Sequence, residues 1–278
     1  MTTLPAPSPF CYKRRIMHPL LQRAVMSLHY RLGRLLNSDA VHARAYAKLV
    51  SDLKGKHPYD DAMRLAVGGE FEQIGRIEFE LLRSCGLKSD DYLIDIGCGS
   101  GRLAKPLSAD HAGKYLGTDI SPELLDYARE LVGRRDWRFE VATGLTIPEQ
   151  DGQADMVCFF SVLTHLLHEE SYSYLTEAKR VLKPGKKIVL SFLDFTVDRM
   201  WEVFEGNIRN LQSPQHPLNQ FISQDAIHVW AKHLGMKVES LWRGDESFVP
   251  LSSPITFPDG RRLEGSTTLG QSVCVLVK

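Results

Sequence analysis

Asp95-Ile96-Gly97-Cys98-Gly99-Ser100-Gly101-Arg102 closes a short apolar run, Asp91–Ile96, and leads into a helical pattern. Glycine at three alternate positions lets the backbone turn tightly and approach a ligand where a Cβ would clash. The helix that follows is expected to present free N–H groups, suited to a carboxylate or a phosphate. The spacing is GxGxG, not the GxGxxG of dinucleotide enzymes, whose third glycine packs helix on strand around a pyrophosphate. About twenty residues on, Gly117-Thr118-Asp119 ends a second apolar run, where a carboxylate can accept hydrogen bonds from ribose hydroxyls.

Outward from this core the same grammar repeats. Apolar runs at Tyr115–Thr118, Arg138–Val141, Met156–Phe160 and Lys187–Leu193 read as buried parallel strands. Helical patterns at Pro122–Val132 and Glu169–Leu182 lie between them, so βαβ units and a mostly parallel sheet are expected. Ser223-Gln224-Asp225 opens a later helix that ends at Gly235, and Lys237–Trp242 and Ser272–Val277 read as two closing strands. Upstream, a helix over about 70–84 is preceded by Val67-Gly68-Gly69, a backbone bend placed near the mouth of the glycine loop. Ser38 or Asp39 caps an earlier helix carrying Val41, Tyr46, Leu49, Val50 and Leu53, broken at His57-Pro58. The reading divides the chain into an N-terminal basic helical extension, 1–64, and an α/β domain, 65–278.

Composition bounds the rest. With 43% hydrophobic and 24% charged residues, the chain reads as an ordinary soluble globular protein. No apolar run reaches the ~20 residues that span a bilayer. Five cysteines are scattered and never spaced as CxxC, which argues for free thiols in a reducing cytoplasm and against a zinc site. Net charge is zero, but residues 1–48 hold eight Lys or Arg against one acid, so that segment carries +7 and the remainder −7. Its first 15 residues are proline-rich and read as loosely attached. From Leu21, a stripe of Leu21, Val25, Leu28, Leu32 and Leu35 with arginines on other faces suits packing on the protein's own domain. It also suits weak peripheral contact with an anionic membrane.

Three segments together resemble class I S-adenosylmethionine-dependent methyltransferases: Asp95–Arg102, then Gly117-Thr-Asp119-Ile-Ser, then Val181-Leu-Lys-Pro-Gly185 before an apolar strand. The resemblance spans roughly residues 65–195. It implies a Rossmann-like fold, a mostly parallel seven-stranded sheet flanked by helices, and S-adenosyl-L-methionine as cofactor. By that resemblance Gly97, Gly99 and Gly101 line the methionine and ribose side, with Cys98 and Arg102 in the same loop. Asp95 holds the loop, Asp119 binds the ribose hydroxyls and Ile120 packs on adenine. Ser161, at the tail of the fourth strand, belongs with these cofactor contacts. Where many relatives carry an adenine-binding Asp after the third strand, this chain reads Val141-Ala-Thr143-Gly144, so Thr143 or the backbone at Gly144 takes that place.

Methyl transfer is an in-line displacement that needs a positioned acceptor, and a base when the acceptor is a hydroxyl. His165, in Ser161-Val-Leu-Thr-His165 after strand four, is the leading candidate base. Asp194 and His216 are the other catalytic candidates; His168 reads as a surface residue. Residues 196–222 read as an irregular lid offering Trp201, Phe204, His216 and Phe221 to substrate. No nucleic-acid module is present, and the NPPY-like tetrad of several nitrogen methyltransferases is absent after strand four. The expectation is therefore oxygen methylation of a small-molecule or sugar-containing (glycan) acceptor. Two alternatives stand beside it: N-methylation of a small amine, and a catalytically silent partner subunit that binds the cofactor. A nicotinamide oxidoreductase is disfavoured by the loop spacing, and a homodimer is left open.

Overall fold

A computed structural model describes residues 38–209 and 219–278. The basic stripe at 21–35, His216 and the middle of the expected lid lie outside the described residues. A compact unit spans His42–Lys278. The sheet is the expected one: seven strands, β1 (Leu93–Ile96), β2 (Tyr115–Asp119), β3 (Arg138–Val141), β4 (Ala154–Phe159), β5 (Leu182–Phe192), β6 (Lys237–Trp242) and a final strand, Ser272–Val277. The first five pair in parallel in the spatial order β3-β2-β1-β4-β5, and the final strand inserts antiparallel between β5 and β6.

Register sets the site. Ile96 pairs with both Thr118 and Phe159, so β1, β2 and β4 end level. Chain order reverses at β1, and the loops leaving these strands open onto one crevice, where an α/β sheet binds its ligand. Every residue of β1 is buried because both faces are covered. Leu93 joins one apolar layer, with Tyr115, Cys158 and the helix Phe71–Ser84, while Ile94 and Ile96 join the layer on the opposite face.

Helix ends follow local chemistry. In Pro122–Val132 the Ser121 hydroxyl accepts from the Leu124 N–H, proline sits in the first turn, and Gly133 ends the helix at φ 68°. Ser223 caps Gln224–Leu234 in the same way.

Three features differ from the sequence reading. The compact unit begins at His42 rather than 65, because Val50, Ala62 and Met63 bury against Leu124 and Tyr127. The helices Ser38–Lys54 and Tyr59–Leu65 thus meet the α/β domain through residues 42–65. Within the expected irregular lid, Met200–Arg209 is helical; Met200, Val203, Phe204 and Ile208 have helical spacing, which Gly206 obscures. Finally, 243–271, to which the sequence reading assigned no element, forms two small ribbons, Val249–Pro250 with Ser266–Thr267 and Ile255–Thr256 with Arg262–Leu263. Two-residue strands carry no detectable alternation. Their Val249, Ile255 and Phe257 pack into the same layer as the Phe71–Ser84 helix, and Arg76 of that helix donates to the Pro254 carbonyl.

Candidate functional site

Gly97, Gly99 and Gly101 all adopt positive φ (70°, 54° and 87°), a region open to glycine and costly for other residues. A Cβ on Gly99 would lie 2.4 Å from a Val67 methyl, and one on Gly97 2.4 Å from a Val162 methyl. The bend before the third helix and the tail of β4 therefore both lie against the glycine loop. The loop amides turn inward. Gly97 and Cys98 donate to the Thr118 carbonyl, Gly101 to the Cys98 carbonyl, and Gly99 to Asp119 Oδ2 at 2.9 Å. These four loop amides are engaged within the protein, so here the loop offers shape and Asp119 a polar contact.

Asp119 is held on both oxygens, with Ser121 N–H donating to Oδ1 at 2.8 Å. Burial pushes its pKa up to about 6, and the backbone donors at Ser121, Gly99 and Ile120 oppose that rise. The carboxylate keeps lone pairs for ribose hydroxyls, and Ile120 is half-buried beside it. Thr143 and Gly144 are exposed just past β3, which pairs with β2 up to Asp119↔Val141. Among the described residues the buried hydroxyls of Ser100, Thr118 and Ser171 lack a partner, and that of Ser100 lies within the glycine loop. A carboxylate, an unsatisfied hydroxyl and a glycine cradle fit a nucleoside cofactor.

Other expected contacts act one layer down. Asp95 lies beneath the loop, accepting from Tyr115 Oη at 2.7 Å, and burial raises its pKa to about 7. Cys98 directs its thiol into the core against Gly117, and burial lifts its pKa well above the usual range. Arg102 grips Glu78 (Nη2–Oε1 2.5 Å) and donates to the Val67 carbonyl at 2.6 Å. Burial raises the Glu78 pKa, and the guanidinium opposes it. Arg102 is thus a tether between loop and helix. The sequence held a sign of this, since Glu78 interrupts the apolar stripe Ile74, Ile77, Leu81, Leu82.

Ser161 has φ 59°, unusual for a non-glycine residue. Its N–H donates to Ser191 Oγ (2.8 Å), and its hydroxyl accepts from Gln271 Nε2 (3.0 Å). Its carbonyl accepts from Thr164 Oγ1 (2.8 Å). With its polar atoms so engaged, Ser161 aims the chain: Val162 covers Gly97, and a 3-10 turn, Leu163–His165, delivers His165. Nothing in the sequence marked this relay, whose members come from three strand ends.

His165 is half-buried, its ring edge-on to Tyr46 with centroids 5.9 Å apart. Its turn is pinned by the Gln220 N–H, which donates to the Thr164 carbonyl at 2.7 Å. Asp194 differs from its reading as a reactive group. It is fully buried and accepts from Thr196 N–H (2.9 Å), Gln224 Nε2 (2.7 Å) and Ser272 Oγ (3.1 Å), which makes it a knot joining β5 to two later elements. His168 is exposed and pairs with the Phe221 carbonyl at 3.0 Å. Phe221 is buried against Leu193, Phe195 stacks on it at 4.6 Å, and Phe204 packs between Phe221 and Trp201. Phe195 and Trp201 remain 48% and 52% exposed, an aromatic surface that continues from the tail of β5.

Residues 94–190 match a methyltransferase domain family. With that match, the strand order and the glycine loop, the domain is a class I S-adenosylmethionine-dependent methyltransferase, and the cofactor of this class is S-adenosylmethionine. Among particular proteins, the chain is 25% identical to 27-O-demethylrifamycin SV methyltransferase of Amycolatopsis mediterranei, over 70% of this chain and 72% of that one. It is also 25% identical to norajmaline N-methyltransferase of Rauvolfia serpentina, over 52% of each. Across eight such curated relatives the chain spans from 41% to 72% of their length. The fold is that of magnesium protoporphyrin IX methyltransferase from Synechocystis PCC 6803, solved with S-adenosylhomocysteine (TM-score 0.53, 18% identity, 80% of this chain and 89% of that one).

Proposed function

We propose that the protein methylates a small molecule, sugar-bearing acceptors included, at oxygen, with His165 taking the acceptor proton. The observation that supports this reading is that His165 lies on the 3-10 turn just beyond the carboxyl end of β4, half-buried with its ring edge-on to Tyr46. The sulfonium cofactor supplies an electrophilic methyl group. Asp119 would hold its ribose hydroxyls, and the glycine loop, with no Cβ at three positions, would face its amino-acid arm. As the new carbon–oxygen bond forms, the carbon–sulfur bond of the sulfonium would break to leave the neutral thioether S-adenosylhomocysteine, and the acceptor hydroxyl would pass its proton to an imidazole nitrogen of His165. The exposed Phe195 and Trp201 faces suit an acceptor with an apolar ring.

The first test is calorimetric titration with S-adenosylhomocysteine. Micromolar or tighter binding, weakened at least tenfold by Asp119→Ala, is the expected result. Silence from folded wild-type protein counts against the cofactor site. In an acceptor screen, His165→Ala should lower kcat by about 10²–10⁴ while the cofactor Kd stays within a few-fold. N-methylation of an amine is the second reading, supported by the norajmaline relative, and there His165→Ala should leave kcat nearly intact because a neutral amine needs no base. Tight cofactor binding without turnover on hydroxyl or amine acceptors would favour a silent partner subunit.

A further inference from the structure

Tyr46 belongs to none of the sheet loops, yet it sits where they converge. It is carried by the helix Ser38–Lys54, whose next turn is anchored: Val50 is 1% exposed against Leu124 and Tyr127, and Lys54 Nζ meets Glu123 Oε1 at 2.5 Å. Tyr46 and Val50 are four residues apart and share one helical face. From that anchor the Tyr46 ring reaches the His165 ring, 5.9 Å between centroids at an interplanar angle of 81°. The phenol also feels the charges of both Asp119 and Arg102. Burial first, then Asp119, pushes its pKa up to about 12, so it is neutral at any working pH.

The chemistry of the cofactor defines what lies between these groups. Its sulfur is bonded to the ribose, and its methyl points to the acceptor. Tyr46, whose ring packs edge-on to His165 and whose hydroxyl lies within electrostatic reach of Asp119, would stand beside the space that the sulfur would occupy between those two residues. We propose that Tyr46 roofs the sulfonium and acts as a positioning residue, its electron-rich ring favouring the cationic methyl donor over the neutral thioether product. An aromatic ring attracts a cation and gains little from a neutral sulfide of the same shape. Product release is helped by the same difference, since the roof loses its attraction once the charge is gone. The proposal rests on the methyltransferase reading and refines it at one residue.

The test is calorimetric, on the full chain, with S-adenosylmethionine and S-adenosylhomocysteine titrated separately into wild type, Tyr46→Phe and Tyr46→Leu. The expected result is a selective loss in Tyr46→Leu. Donor affinity should fall about 3- to 30-fold, product affinity should move less than about twofold, and Tyr46→Phe should keep the wild-type ratio. Equal weakening of both ligands in Tyr46→Leu, or no change in either, overturns the proposal and leaves the methyltransferase reading intact. Wild-type protein that binds neither ligand removes that reading and this proposal together. Tyr46→Phe, which keeps the ring in its packing, guards against a change that is only misfolding.

Discussion

At the residue scale, two buried carboxylates respond to pH in opposite senses. Asp119 must be ionised to accept from ribose, and its pKa lies at about 6 in the folded protein. S-adenosylhomocysteine affinity should therefore be flat from pH 8 to 7 and fall as pH drops through about 6, by at most tenfold per unit. Calorimetry across that range checks it, and a flat response down to pH 5 would count against Asp119 as the ribose acceptor. Asp95, buried beneath the loop, ties its titration to stability. Its folded pKa of about 7 stands above the ordinary 3.8, so its favourable contribution is full below about 3.8 and is lost as pH rises through about 7. Asp95→Asn, which can still accept from Tyr115, should raise the melting temperature at pH 8, and the gain should vanish toward pH 4. A variant less stable than wild type at pH 8 would show that the carboxylate charge is needed beneath the loop.

At the element scale, the helix Phe71–Ser84 holds the glycine loop through Glu78 and Arg102, whose side chains are 2% and 15% exposed. Removing one member of a buried pair leaves the other charge without compensation, a cost of about 3–5 kcal/mol. Arg102→Leu should lose about that much in chemical denaturation. The double variant Glu78→Leu/Arg102→Leu should recover a large part of it, because no orphan charge remains. It should still bind cofactor more weakly, since the Val67 carbonyl loses its tether. Elements with an apolar run or stripe of their own were legible: β3, β6 and the final strand match the sequence reading residue for residue, as does the helix Pro122–Val132. The ribbons at 249–267 were not, because a two-residue strand is specified by what it packs on rather than by its own pattern.

At the scale of the whole molecule, residues 42–65 are part of the folded unit rather than an appendage. A protein that lacks residues 1–41 is the reference against which this layer is measured. Deleting 1–64 removes Val50 and Met63 from Leu124 and Tyr127, roughly 1.5–3 kcal/mol for each buried side chain. It also removes Tyr46, so stability and donor binding should fall together. Equal melting temperatures for the two deletions would show that this layer contributes nothing. Among the described residues no helix is long and apolar enough to cross a membrane. The sequence by itself determined the parallel sheet, its glycine loop and Asp119, because these rest on backbone constraints and strand periodicity that act within a few residues. It also named His165 as the candidate base from its place after strand four. Only the tertiary structure decided that Asp194 is a buried knot, that Arg102 holds Glu78, and that Tyr46 faces His165. Those roles depend on partners 24 to 119 residues away, brought together by packing that no local pattern encodes.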